Sequence, residues 1–351
     1  MSSDTAESPQ LAFSEIRIEA FRRLTGVTLS NLHRLNLIVG DNNIGKTSVL
    51  EAVWLLAQGL SRETFQQLQT ARAPASGPQE SLAESVYSLG SINAAQRVSE
   101  VNIAASTQRP ANRSLQFSLA RRGIGDLKLH APTIDRDVWR SVIQETGLFE
   151  ENVDRIERLP NGELSIPCAW VGLSDHRDEA SQARLIDVAT RNGSKRRLVQ
   201  LLRILDPDIE AISNSANHKM QLLPMLELAH IGLALPHFGD AVRRFLFLAM
   251  TITSITNGVL LVDEAEASIH WSRFPQMAKA LLELLHEFNV QAFFTTHSLE
   301  LIDAFVDATP DNDDIALYRL TRAPDDGRTV VTTLKEEHVR TLRFDLGREL
   351  R

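Results

Sequence analysis

The chain holds one cysteine in 351 residues, Cys168, so neither a disulfide framework nor a cysteine-built zinc site can form. Cys168 lies in the apolar run Ile166-Pro-Cys-Ala-Trp-Val171, which marks a buried structural thiol rather than a nucleophile. Long hydrophobic stretches are also missing. The nearest candidate, Phe245 to Ile255, is cut by Thr256-Asn257-Gly258 before the next apolar residues, which argues against a membrane-spanning helix. The opening residues Met-Ser-Ser-Asp-Thr-Ala-Glu-Ser-Pro-Gln carry neither a basic nor an apolar segment. Residues 1–12 therefore read as a short disordered tail rather than a signal peptide, and the expected location is the cytoplasm. Positive charge is scarce as well: the formal net charge is −8, against the balance of a protein that coats nucleic acid. The clusters Arg121-Arg122 and Lys195-Arg196-Arg197 read first as solvated surface, with local phosphate binding left open. No repeat and no low-complexity tract occurs.

What is present is enough apolar sequence, 43%, to bury a full core as one large domain or one domain with a substantial insertion. Strand-like alternation runs through Phe13, Ile16 and Ile18, then Val27 and Leu29, then Leu35, Leu37 and Val39. After a glycine-rich turn, Val49, Val53 and Leu56, with Leu50 and Trp54 beside them, recur at helical spacing and predict an amphipathic helix on a sheet. Residues 61–219 change character, with polar and small-residue stretches (Ala71 to Ser81), strand-like pieces at 99–106, 114–120 and 163–172, and helices near 177–190 and 194–205. They read as an inserted second lobe between the two parts of a first lobe, at 13–60 and 220–351. From about residue 235 the first pattern resumes with a helix over Ala241 to Thr251, the buried strand Gly258 to Asp263 and a helix opened by Pro275. The strand Val290 to Thr296 follows, then a hairpin of Ile315–Leu320 and Thr329–Leu334 across Asp325-Asp-Gly327.

Three motifs carry chemistry. Gly40-Asp-Asn-Asn-Ile-Gly-Lys-Thr47 has phosphate-loop spacing: its glycines let the backbone wrap phosphates, the helix start presents free amides, Lys46 neutralises charge and Thr47 holds Mg²⁺. Asn42, Asn43 and Ser48 belong to the same cradle. Val259-Leu-Leu-Val-Asp263-Glu264 is an apolar strand ending in two carboxylates, where Asp263 would hold Mg²⁺ and Glu264 would polarise the attacking water. His297 follows the next apolar strand and so ends on the same sheet edge as Asp263. It is a candidate γ-phosphate sensor, against the plainer reading of a hydrogen-bonded histidine at a strand end. The run Asp311, Asp313, Asp314 reads as a solvated turn.

These residues resemble the ABC-type AAA ATPases related to the RecF, SMC and OLD families, over roughly 13–58 and 235–305. Ile16-Arg-Ile-Glu-Ala-Phe21-Arg22 resembles their opening strand, and Gly40 to Ser48 with Leu50-Glu-Ala52 their phosphate loop and helix. Asp263-Glu-Ala-Glu266 to His270 and Thr296-His297-Ser298 resemble their Walker B, D-loop and switch histidine. The resemblance implies an α/β P-loop NTPase fold, an ABC-type ATPase head with a β-rich start and an inserted α+β lobe. It further implies ATP and Mg²⁺ as cofactors, and a homodimer clamping two ATP molecules, each touched in trans by a signature helix. That signature is represented by His237-Phe238-Gly239-Asp240-Ala241, with Ala241 where relatives often have glycine. A simple turn capped by Asp240 is the alternative. Gln182 and Gln66 are weak candidates for the Q-loop glutamine.

The expected function is an ATP-hydrolysing dimeric switch of OLD or RecF type, working in prokaryotic defence or DNA maintenance. The residues after His297 are too few for the Toprim nuclease that OLD relatives commonly carry, so a nuclease or other effector would be a separate protein. A RecF-type repair factor that binds DNA is the alternative. A transporter ATPase is disfavoured by the degenerate signature and the long insertion.

Overall fold

The computed structural model describes residues 11–59, 64, 67–68, 88, 90–93, 98–107, 113–121, 127–130, 166–216, 219–228, 230–309 and 314–334. Residues 1–10, Gln66, Ala71 to Ser81, Arg122, 163–165, Asp311 and Asp313 lie outside that set. The chain divides into two compact units.

The first unit comprises Met1–Leu32, Ile38–Cys168 and Tyr318–Leu334. Strand β1 (Glu15–Phe21) buries Ile16, Ile18 and Phe21, and β2 (Leu24–Ser30) buries Leu24, Val27 and Leu29. Their antiparallel register sets Ile16 opposite Leu29 and Ile18 opposite Val27, so the apolar alternation of both lies on one face. β5 (Val98–Ser106) pairs with the other side of β1, and a register shift between Ile18 and Ala20 turns Phe21 rather than Ala20 inward. β6 (Arg113–Arg121) and β7 (Leu127–His130) complete the order β2-β1-β5-β6-β7, and β4 (Ser91–Asn93) pairs with β5. Helix α1 (Lys46–Gln58) lies against β1, β5 and β6. The expected apolar stripe is present, but every residue from Val49 to Ala57 is buried, so the helix is covered all round instead of on one face. Glu51 tolerates this because Arg22, in the β1–β2 turn, donates Nη2 to its Oε1 at 3.2 Å. The later residues of β3 (Leu35–Gly40) and β14 (Ile315–Arg322) also belong here, with β15 (Thr329–Leu334) beside β14. Ala323 and Arg328 close the β14–β15 turn by a backbone hydrogen bond of 2.8 Å, at the position the Asp-Asp-Gly sequence marks.

The second unit comprises His33–Leu37, Ala169–Leu317 and Lys335–Arg351. Its sheet runs β14-β3-β13-β12-β8, with β8 at Cys168–Val171, β12 at Val259–Val262 and β13 at Gln291–Thr295. β12 and β13 are parallel, Leu261 opposite Phe293, and every residue of both is buried, as continuous apolar runs require. Five helices accompany them among the described residues: α2 (Glu179–Arg191), α3 (Lys195–Leu202), α4 (Asp240–Ser254), α5 (Phe274–Glu287) and α6 (Leu299–Ala308). Pro275 sits in the first turn of α5. A second sheet, order β11-β10-β9, was not expected from the sequence: β9 is Ile209–Ala216, β10 Leu222–Leu228 and β11 Ile231–Ala234. Leu222-Leu-Pro-Met-Leu-Glu-Leu neither alternates nor runs uniformly apolar, and its proline argues against a central strand. The strand forms because β11 stops short. It pairs only as far as Met225 opposite Ala234, leaving Pro224 beside Asn214 of β9 alone. Cys168 is half-buried, and burial pushes its thiol up, away from the reactive thiolate. No helix among the described residues is long and apolar enough to cross a membrane.

Candidate functional site

The glycine loop joins β3 to α1 within the first unit. Gly40 and Gly45 both have positive φ, +141° and +111°, and a side chain at either would collide with a neighbour. A Cβ on Gly40 would lie 2.4 Å from the Leu320 carbonyl oxygen, and one on Gly45 2.6 Å from a Leu24 methyl. Asn43 takes the left-handed conformation at φ 60°, and Asp41, Asn42 and Asn43 are exposed at the tip. Strands β14 and β15 brace the loop: Thr329 Oγ1 donates to the Ile44 carbonyl at 3.0 Å and Arg322 to that of Asn43 at 3.4 Å. Lys46 is buried, and its Nζ donates to the carbonyls of Gly40 and Asp41, each at 2.8 Å. The ammonium is thus folded into the loop's concavity. Thr47 and Ser48 follow in the first helical turn, half-buried, where backbone amides lack partners inside the helix. No acidic residue occupies that turn, so nothing in the helix itself repels an anion there.

In the second unit, Asp263 and Glu264 leave β12 as His297 leaves β13. Asp263 is half-buried and its Oδ1 accepts a hydrogen bond from Thr295 Oγ1, while the same hydroxyl accepts from the Glu264 N–H at 2.9 Å. Thr295 therefore ties both acids to the end of the neighbouring strand. Glu264 is exposed at φ 50°, a left-handed conformation that costs a β-substituted residue energy and is held here by its surroundings. The backbone N–H of His297 donates to Glu266 Oε1 at 2.7 Å, leaving the imidazole exposed. Among the described residues no group of three or more His, Cys, Asp or Glu gathers to hold a metal ion. The donors that are present suit Mg²⁺, which accepts one or two protein oxygens and takes its remaining ligands from water and phosphate.

Sequence reasoning missed Arg244. Lying on α4 with no exposed surface, it donates Nη1 to the carbonyls of Gly172 and Leu173 at 2.8 and 3.2 Å, and Nη2 to those of Asp263 and Glu264 at 3.1 and 3.0 Å. Burial draws its pKa down, opposed by Asp175, Glu266, Glu264 and Asp263. An arginine beside another arginine in an apolar helix gives no sign of such a role, although all four carbonyls belong to residues at or just past the ends of predicted strands. Thr295 was equally hidden, since a threonine at a strand end is commonplace.

The signature-like stretch starts α4. Gly239 has ordinary extended dihedrals, φ −60° and ψ 151°, and a Cβ there would meet nothing within 4 Å. Asp240 accepts from Arg177 Nη2 at 2.5 Å and lies 3.5 Å from Arg243 Nη1. The Arg177 hydrogen bond holds its carboxyl below the usual range. Gln182 does not reach outward: it is fully buried on α2, with Nε2 donating to the His176 carbonyl.

Comparison with known proteins fits this geometry. The family described as "AAA domain, putative AbiEii toxin, Type IV TA system" matches residues 35–303. An uncharacterized protein of Methanocaldococcus jannaschii is 35% identical over 115 residues, 32% of this chain and 98% of its own length. An ATP/GTP phosphatase of Helicobacter pylori is 22% identical over 325 residues, 82% of this chain and 86% of its own. The DNA replication and repair protein RecF of Pasteurella multocida is 49% identical over 51 residues, 14% of each chain. An SMC head bound to the C-terminal winged-helix domain of ScpA shares the fold, with a TM-score of 0.55 and 11% identity over 93% of this chain and 99% of that one. So does an SMC head bound to the C-terminal domain of ScpA derived from Pyrococcus furiosus, with a TM-score of 0.50 and 10% identity over 96% and 100%. The chain belongs to the AAA-domain family whose description names the AbiEii toxin, and it has the fold of an ABC-type ATPase head related to those of SMC proteins.

Proposed function

We propose that this chain binds ATP with Mg²⁺, hydrolyses it and works as a dimeric switch of OLD or RecF type, gating a separate effector such as a nuclease in prokaryotic defence or DNA maintenance. The observation that carries the ATPase reading is the loop from Gly40 to Thr47. Two glycines stand where no side chain fits, and a buried lysine ammonium is directed at carbonyls that phosphate oxygens outbid as acceptors. In the first unit, Lys46 and the amides of residues 42–48 take the β and γ phosphates, and Thr47 offers its hydroxyl to the metal. In the second unit, Asp263 would hold Mg²⁺, Glu264 would accept the proton of the attacking water and His297 would contact the γ-phosphate. Bound Mg²⁺ supplies charge neutralisation for the phosphates. The ATP/GTP phosphatase among the relatives supports this chemistry, and the toxin–antitoxin description of the family supports a role in defence. Support for an ATP-closed dimer comes from Gly239, a residue whose lack of a side chain answers to nothing among the described residues.

Steady-state hydrolysis and nucleotide affinity measured on three variants test the assignment. Lys46→Ala should lose ATP affinity by about 10²-fold, as expected from deleting a buried charge-assisted contact. Glu264→Gln should keep affinity and lose about 10²-fold or more in turnover, because the amide retains size but cannot accept the proton. Asp263→Asn should lose Mg²⁺-dependent affinity and turnover together. Parental turnover in Glu264→Gln would place the base elsewhere, with His297 the first residue to examine.

The second reading is a RecF-type repair factor whose ATP cycle controls loading on DNA, and the 51-residue likeness to RecF favours it. Copurification separates the two, an effector protein in one case and replication proteins in the other.

A further inference from the structure

Helix α3 opens with three consecutive cations, of which one is matched by carboxylates among the described residues. Arg197 reaches α5, donating Nε to Glu287 and Nη2 to Glu283, each at 2.9 Å. Lys195 and Arg196 form no ion pair with any carboxylate of the described residues. At the other end, Arg203 donates Nε to the Ile209 carbonyl at 2.8 Å, which fixes its stem against β9 and likewise leaves it without a carboxylate. Arg196, Gln200 and Arg203 follow one another at i, i+4 and i+7, one face of the helix. Lys195, Arg196 and Arg203 all line a single open cavity of about 600 Å³ between α3 and β9. The one acidic residue on its wall among the described residues, Glu210, is engaged elsewhere: Oε2 accepts from the His230 N–H at 3.1 Å and lies 3.2 Å from His230 Nδ1. Three cations are thus gathered around a groove in a chain whose net charge is −8.

We propose that this groove binds the phosphate backbone of nucleic acid. Arg196 and Arg203 are seven residues apart, roughly 10 Å along a helix at 1.5 Å per residue, too far to serve one phosphate group and suited to successive phosphates of a strand. Among the described residues the groove has no aromatic wall on which a base could stack, so contact is with the backbone and is independent of sequence. An acidic peptide fits less well. Peptide affinity comes from apolar or aromatic anchors in pockets, and the apolar lining here amounts to Val199 and Ala211. The proposal uses none of the residues assigned to nucleotide chemistry and stands apart from the ATPase reading.

The test is fluorescence anisotropy of a labelled duplex and a labelled single strand of about 30 nucleotides, long enough to exceed the groove, titrated with the full chain at several salt concentrations. The parent should bind at least one of them with affinity falling steeply as salt rises. The double variant Lys195→Gln, Arg196→Gln should bind about tenfold or more weakly at low salt, with the log–log salt slope reduced by about 2. Arg203→Gln should reduce the slope by about 1. Turnover of ATP should be unchanged in both variants, which also reports that they fold. Absence of binding at low salt would overturn the proposal. So would equal affinity and slope in parent and double variant, since nucleic acid would then lie elsewhere. Competition by inorganic phosphate at millimolar concentration would reduce the groove to a single-phosphate site, and tighter binding of poly-glutamate with the same loss in the variants would reassign it to an acidic protein.

Discussion

Arg244 satisfies four carbonyl oxygens on two segments, and two of the four are those of Asp263 and Glu264. Its guanidinium is the scaffold beneath the left-handed Glu264 turn, so its removal should affect stability and turnover together. Arg244→Met keeps the apolar stem and deletes the donors. We expect a loss on the order of 3 kcal/mol in urea unfolding, from four carbonyls that lose their charged donor, of which that of Glu264 keeps the Ala267 N–H at 2.9 Å. Turnover should fall further than nucleotide affinity, because Glu264 loses its fixed position while the phosphate loop is untouched. Arg244→Lys should restore part of both, as an ammonium can reach some of the carbonyls but cannot fork between two segments. Parental turnover in a folded Arg244→Met chain would show that the turn holds itself. At this scale the sequence makes Lys46, Asp263 and Glu264 stand out as candidates because of their neighbours: glycines at fixed offsets, and an apolar strand before two acids. Arg244 and Thr295 act through partners distant in sequence, and nothing local distinguishes them from ordinary helix and strand residues.

Among the elements, the segment that leads from β8 into α2 stores a pH dependence. His176 lies in the short turn Asp175–Arg177 with no exposed surface, and neither ring nitrogen has a hydrogen-bond partner among the described residues. Burial lowers its pKa from the ordinary value of 6.5, reinforced by Arg244, Arg177 and Arg243 and opposed by Asp240, whose Oδ1 is 3.8 Å from Nε2. The folded chain therefore keeps His176 neutral where the unfolded chain takes up a proton. Below about pH 6.5 the unfolded state binds more protons, so stability is full above that pH and declines as pH falls through it, by at most about 1.4 kcal/mol per pH unit. Urea midpoints at pH 7.5 and 5.5 should differ for the parent and differ less for His176→Gln, a variant without a titrating ring. Equal midpoints in the parent would mean that the ring finds a proton acceptor when it is charged. Elements with a regular period were readable in advance: β1, β2, β12, β13, α4 and α5 all fall where alternation, apolar runs or Pro275 place them. The sheet β9-β10-β11 was not, because β9 ends in polar residues, β10 holds Pro224 and β11 is only four residues long, and they become strands through pairing with each other.

For the whole molecule, the sharpest expectation concerns assembly. Gly239 has dihedrals any residue adopts and open space where a Cβ would be, so Gly239→Ala should leave unfolding stability within about 0.5 kcal/mol of the parent. If ATP closes two copies over the start of α4, the same methyl should obstruct the phosphate's approach. Light scattering in a Glu264→Gln background, where ATP persists, should show the mass doubling with ATP in the glycine chain and not in the alanine chain. Doubling in both would remove the start of α4 from the interface. The sequence by itself determined the class of fold and the residues with intrinsic chemistry, because period, apolar runs and glycine spacing act over a few residues and leave a local trace. Tertiary structure alone decided which groups surround those residues: Thr295 between two acids, Arg244 beneath them, Arg22 against Glu51, and three cations around one groove without a carboxylate partner among the described residues. Each of these is a matter of which distant side chains meet once the core has closed, and a hydrogen bond or ion pair across such distances leaves no period in the chain that makes it.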